Sequence, residues 1–153
     1  MDLSVSLHTD DDGFLRRECP TCERQFKWFV GSTINRPDDV AEPDEYFCPY
    51  CAEPAATDQW WTHDQLDQVQ AEIAPDLMQI VHDELTKTAK SIRSDFIKMS
   101  VTTEPVPPPT PLLEPNDMVM VEAPCHPWEP VKISEDWTAT IYCLVCGAEF
   151  TLD

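Results

Sequence analysis

From Thr62 to about Met99 the apolar residues return every three or four positions: Leu66, Val69, Ile73, Leu77, Ile80, Val81, Leu85, Ala89, Ile92 and Phe96. That period aligns side chains on one face of an α-helix. Thr62 with Gln65 three residues on is a capping box, and it places the helix start. Pro75 breaks the pattern, because inside a helix it lacks a donor and its ring presses on the carbonyl of Ala71, at about 3 kcal/mol. The expectation is therefore either one long amphipathic helix kinked at Pro75, or a helix over residues 63–74 followed by a second to about Met99. The last third reads differently. Met118 to Val121, Val131 to Ile133, Thr138 to Tyr142, and Phe150 alternate apolar and polar in short runs, the pattern of a small antiparallel sheet. Upstream, "NRPDDVAEPDEY" reads as a loop.

Proline sharpens this division. The chain holds 15 prolines against 3 glycines, and Pro105, Pro107, Pro108, Pro109, Pro111 and Pro115 crowd one stretch. That stretch excludes helix and central strand and predicts an extended, semi-rigid spacer. Four segments result: an N-terminal module over 1–58, a helical segment over 59–100, a Pro-rich linker over 101–117, and a C-terminal module over 118–153. The predicted fold class is small α+β and metal-stabilised: two β modules joined by the helix and the linker.

The metal enters through the cysteines. Six of the seven lie in C-x-x-C pairs: Cys19 with Cys22, Cys48 with Cys51, and Cys143 with Cys146. Two residues between cysteines let one tight turn aim both sulfurs at one point, and two such turns make a tetrahedral all-sulfur site suited to zinc or iron. Read alone, Cys48-Pro49-Tyr50-Cys51 also has the form of a redox dithiol. That reading needs a βαβ unit with a helix following the motif, and Pro54 stands where the helix would continue.

The first two pairs, "CPTC" and "CPYC", with Phe47 directly before the second, resemble the knuckles of rubredoxin-like zinc ribbons over about Glu18 to Ala55. The resemblance implies a small three-stranded sheet bringing the knuckles together around one metal. It departs after the second cysteine of each pair, where such knuckles often carry glycine in a left-handed turn and this chain has Glu23 and Ala52. Site 1 is thus Cys19, Cys22, Cys48 and Cys51, with zinc expected and iron as the alternative. Gly147 does follow the third pair, so the C-terminal module has the form of a zinc knuckle. Cys125, Cys143 and Cys146 supply three donors to site 2, and His126 is the expected fourth, with Glu129, His82 and His63 as substitutes. Two zinc ions per chain follow.

Charge bears on partners. Ten Lys and Arg against 29 Asp and Glu give a formal charge of −19, a field that repels phosphate backbones and favours basic proteins. Against that background Arg24, Lys27 and Trp28 belong to a basic and aromatic cluster that would be the nucleic-acid contact if one exists. No serine-nucleophile elbow, phosphate loop or H-E-x-x-H occurs, and a closed four-donor site leaves no position for a reacting water, so no enzyme activity is expected. The N-terminus lacks a basic region followed by an apolar one, and nowhere do 18 apolar residues run together, so the expectation is a cytoplasmic chain with no membrane partner. What remains is a protein-interaction role, with the helix binding a partner protein or a second copy of the chain.

Overall fold

The computed structural model describes residues 6–91, 102 and 110–152. Most of the expected proline spacer, and the apolar positions Ile92 and Phe96, lie outside the described residues.

Each C-x-x-C pair sits in the turn of a β-hairpin. Phe14–Glu18 (β1) and Gln25–Phe29 (β2) flank the first pair, and Glu45–Phe47 (β3) and Pro54–Ala56 (β4) flank the second. The chain then enters helix α1, His63–Ser91. Val119–Val121 (β5) and Val131–Ile133 (β6) follow, and Ile141–Tyr142 (β7) and Glu149–Phe150 (β8) flank the third pair. The strands of the last third fall where alternation placed them.

The tertiary arrangement differs from two separate ribbons. Strand β2 pairs with β6 through Lys27↔Lys132 and Trp28↔Val131, giving one four-stranded sheet in the order β1-β2-β6-β5. Residues from both ends of the chain thus make one compact unit, Leu7–His63 with Leu112–Asp153, in place of the expected modules at 1–58 and 118–153. The three-stranded sheet implied by the resemblance is likewise replaced by this sheet and the two short hairpins. The physical reason is size. An isolated two-stranded hairpin is marginal in water, and pairing across the chain gives β2 a second neighbour and one shared core.

Residues opposite one another in an antiparallel sheet share a face, so the register sorts the side chains. One face carries Leu15, Phe26, Trp28, Val131, Ile133 and Val121. Trp60 is fully buried against it, with ring centroids 5.6 Å from Phe26 and 6.2 Å from Trp28, and Tyr50, Ile141 and Leu144 complete the core. Burying one such aromatic side chain contributes about 2–3 kcal/mol.

The other face of the same sheet is buried and charged. Lys27 and Lys132 are direct cross-strand neighbours with relative exposures of 0% and 2%. Two like charges so placed are destabilising unless neutralised. Asp10 sits between them, its Oδ2 3.1 Å from Lys27 Nζ and 2.9 Å from Lys132 Nζ. Glu114 and Asp117 add contacts of 3.1 and 3.2 Å to Lys27, and Asp12 one of 2.7 Å to Lys132. Lys27 also donates to the carbonyl of Pro115, and Lys132 to Asn116 Oδ1 at 2.8 Å. Arg16 joins through Glu114 and Asp117. Residues 114–117 are thereby strapped onto the sheet by charge-assisted hydrogen bonds.

Helix α1 starts directly after Thr62, as the capping pattern predicts, and runs through Pro75 without the break considered at Ala74. At about 1.5 Å per residue its 29 residues extend roughly 43 Å. Asp64 in its first turn and Lys90 in its last suit the helix dipole.

Candidate metal centres

The three cysteine knuckles share one backbone design. In each, the amide of the residue after the second cysteine donates to the carbonyl of the first: Glu23 to Cys19, Ala52 to Cys48 and Gly147 to Cys143, all at 2.9 Å. The amide of each first cysteine donates to a carbonyl five residues on, from Cys19 to Arg24, Cys48 to Glu53 and Cys143 to Ala148. Closing this turn requires left-handed backbone, and φ is 62° at Glu23, 64° at Ala52 and 73° at Gly147. The first two knuckles adopt it without glycine, at a cost of about 1–2 kcal/mol per residue. At Gly147 a side chain has no room, because a Cβ there would lie 2.8 Å from Phe47 Cδ1.

Amides inside the turns point at sulfur. Thr21 N and Cys22 N lie 3.3 and 3.4 Å from Cys19 Sγ, and Tyr50 N lies 3.3 Å from Cys48 Sγ. Such donors stabilise thiolate. Cys19 sits below the usual thiol range: burial pushes it up, but the Cys22 and Thr21 amides and the neighbouring thiols outweigh that push. Cys48 lies far above the range, first because of burial and then because of the charges of Cys19 and Cys22, and burial raises Cys51 too. Four thiolates this close in a desolvated site cannot all be charged without a cation among them. A divalent metal removes that penalty.

The spacing fits a metal. In site 1, Cys19 Sγ is 3.7 Å from Cys51 Sγ, and Cys22 Sγ is 3.8 Å from Cys48 Sγ. A tetrahedron with metal–sulfur bonds of about 2.3 Å has edges of about 3.8 Å. All four sulfurs lie within 4.8 Å of one another.

Site 2 combines the third knuckle with Cys125 and His126, and its four donor atoms also lie within 4.8 Å of one another. Cys125 Sγ is 3.6 Å from Cys146 Sγ, and His126 Nδ1 is 3.5 Å from Cys143 Sγ. A tetrahedral sulfur–nitrogen edge is about 3.5 Å for ordinary zinc bond lengths, so imidazole and thiolates fit one ion. Adjacent residues 125 and 126 both face it because the chain turns there, with the His126 amide donating to Ala123 and the Glu129 amide to His126. None of the substitutes for the fourth position belongs to the cluster. Glu129 pairs with Arg36 at 2.9 Å, His63 with Glu18 at 2.8 Å, and His82, on α1, lies 3.7 Å from Asp83.

The two sites are neighbours. Phe47 N donates to Leu144 O at 2.8 Å and Tyr142 N to Pro49 O at 2.9 Å, so the second and third knuckles are bonded to each other. Their exposure differs. In site 1 Cys19 and Cys48 are fully buried, whereas in site 2 Cys143 is buried and Cys125 and Cys146 are exposed.

The residues considered for nucleic-acid contact are not brought together. Lys27 is wholly buried and neutralised on the charged face, out of reach of a phosphate. Trp28 points to the opposite face and packs on Trp60 and Tyr46. Arg24 stacks on Trp137, 4.7 Å from its ring centroid.

Comparison with protein-family models, curated proteins and solved structures gives no match for this chain. Among the described residues no helix is long and apolar enough to cross a membrane.

Proposed function

We propose that this chain is a non-catalytic adaptor, held together by two structural zinc ions, that presents helix α1 to a basic protein partner. One observation carries the interaction role. Leu66, Leu77, Met78, Ile80, Val81 and Leu85 of one helix are each 40–50% exposed, far more apolar surface than a solvated helix needs to show. Asp64, Asp67, Glu72, Asp76, Asp83 and Glu84 surround them against Lys87 and Lys90. A partner complementary to that surface is a basic amphipathic helix laid along α1. The non-catalytic part rests on the donor sets. Each cluster offers a full complement of four and leaves no open position for a substrate. Cysteines held as metal ligands, with no disulfide among them, fit a reducing compartment such as the cytoplasm.

The test uses the full chain and a synthetic amphipathic helix of leucine and lysine, titrated by calorimetry at two salt concentrations. Saturable binding that is abolished by Leu77→Asp with Val81→Asp supports the reading. Equal binding of a scrambled peptide of the same composition, or a chain already dimerised through α1, contradicts it. Binding of mixed-sequence DNA in preference to the peptide also contradicts it.

A further inference from the structure

Resting on the reading of both clusters as zinc sites, we propose that Cys125 and Cys146 form a peroxide-sensitive pair whose oxidation to a disulfide releases the site 2 metal alone. The inference comes from what separates two otherwise similar sites. In site 1 each close sulfur pair joins a partly exposed thiol to one with 0% exposure: Cys51 to Cys19, and Cys22 to Cys48. In each of those pairs a dissolved oxidant has access to only one of the two sulfurs. Site 2 is built the other way. Cys125 and Cys146 are both exposed and their sulfurs are 3.6 Å apart, while buried Cys143 has the imidazole of His126 as its near neighbour.

The chemistry balances with hydrogen peroxide as the oxidant. One sulfur of the pair attacks a peroxide oxygen, the O–O bond breaks, and hydroxide leaves with a solvent proton as water. The second sulfur attacks the resulting sulfenic sulfur, the S–O bond breaks, and hydroxide leaves with a second solvent proton as water. Two thiolates have lost two electrons and peroxide has gained them. Closing the bond shortens the separation from 3.6 Å to about 2.05 Å and leaves only Cys143 Sγ and His126 Nδ1 as donors, half of what a structural zinc site uses. The disulfide joins the same two segments that the metal joined, so the chain stays cross-linked there and site 1 keeps its metal.

The experiment treats the full-length metal-loaded protein with hydrogen peroxide, follows zinc release with a chromogenic chelator, and maps disulfides by mass spectrometry after blocking free thiols. The expected result is release of half the zinc, a Cys125–Cys146 disulfide, unmodified Cys19 and Cys48, and rebinding of zinc after reduction by dithiothreitol. Cys125→Ala should abolish the disulfide. Release of all the zinc together, a disulfide among the site 1 cysteines, or full retention of zinc after the treatment each overturns the inference. Metal analysis before treatment separates the two layers. Two zinc ions at the start with none released sinks this inference alone, whereas one or none at the start sinks the reading of the sites as well.

Discussion

Asp10 should be the most costly carboxylate to remove. It is 5% exposed and binds two lysines that the sheet register forces together. Burial pushes its acid up, but hydrogen bonds from Lys132, the Phe14 amide, Lys27 and the Asp12 amide bring it down from 3.8 to about 2. At 1.36 kcal/mol per unit, the favourable surroundings of the charged form contribute about 2 kcal/mol at neutral pH. The sign follows from the depressed value: this stability is present above the unfolded value near 4 and is lost as pH falls towards 2. From pH 7 to 5 the group therefore contributes no change, and below 4 protons compete with metal for the thiolates, so neutral pH is the informative condition. Asp10→Asn there removes the charge and keeps the shape, leaving Lys27 and Lys132 buried with fewer counter-charges. Breaking a buried pair in this way costs about 3–5 kcal/mol, with the pKa figure as the lower bound. Lys132→Met beside Asp10→Asn should recover part of the loss. The assay is denaturant unfolding at fixed zinc concentration, followed through the fluorescence of the five tryptophans, of which Trp60 is fully buried. An Asp10→Asn protein within about 0.5 kcal/mol of the parent, or a double variant whose loss is the plain sum of the singles, refutes the reasoning.

Other consequences follow from the knuckles and the helix. Gly147→Ala puts a Cβ against Phe47 at 2.8 Å and into φ 73°, so a loss of about 2–4 kcal/mol is expected, with site 2 metal weakened first. Unchanged thermal unfolding and zinc affinity would contradict this. Ala52→Gly relieves left-handed strain at φ 64° but frees the unfolded chain, leaving a net gain of about 0.5 kcal/mol. A lowered unfolding midpoint would show that strain is absent there. Pro75→Ala restores a helix donor and should strengthen α1 by up to about 3 kcal/mol, read as helical circular dichroism that persists to higher temperature. Reduced helicity would count against the continuous helix.

The sequence carried its local chemistry more plainly than its long-range pairings. C-x-x-C spacing marks a knuckle because the turn is encoded within six residues, and all three adopt it, including the two without glycine. His126 was legible for the same reason, lying next to Cys125 in a proline-bracketed turn. The pairing of β2 with β6 was not, since Lys27 and Lys132 are 105 positions apart and nothing local announces that strands of separate segments will share a sheet. A signal was nonetheless present. A lone lysine within "FKWF" and another within "VKI" each sit between apolar neighbours in a strand, where a solvated lysine gains little from its position. Burial of Lys27 with Asp10 agrees with that strand context and takes it out of the possible nucleic-acid contact. The acids that neutralise the two lysines come from residues 10–12 and 114–117, the latter within the stretch read from its prolines as a linker.

If both cysteine clusters are structural zinc centres, protein purified without added metal should carry two zinc ions per chain by elemental analysis. Iron in either cluster, or fewer than two ions on a folded chain, would contradict that assignment.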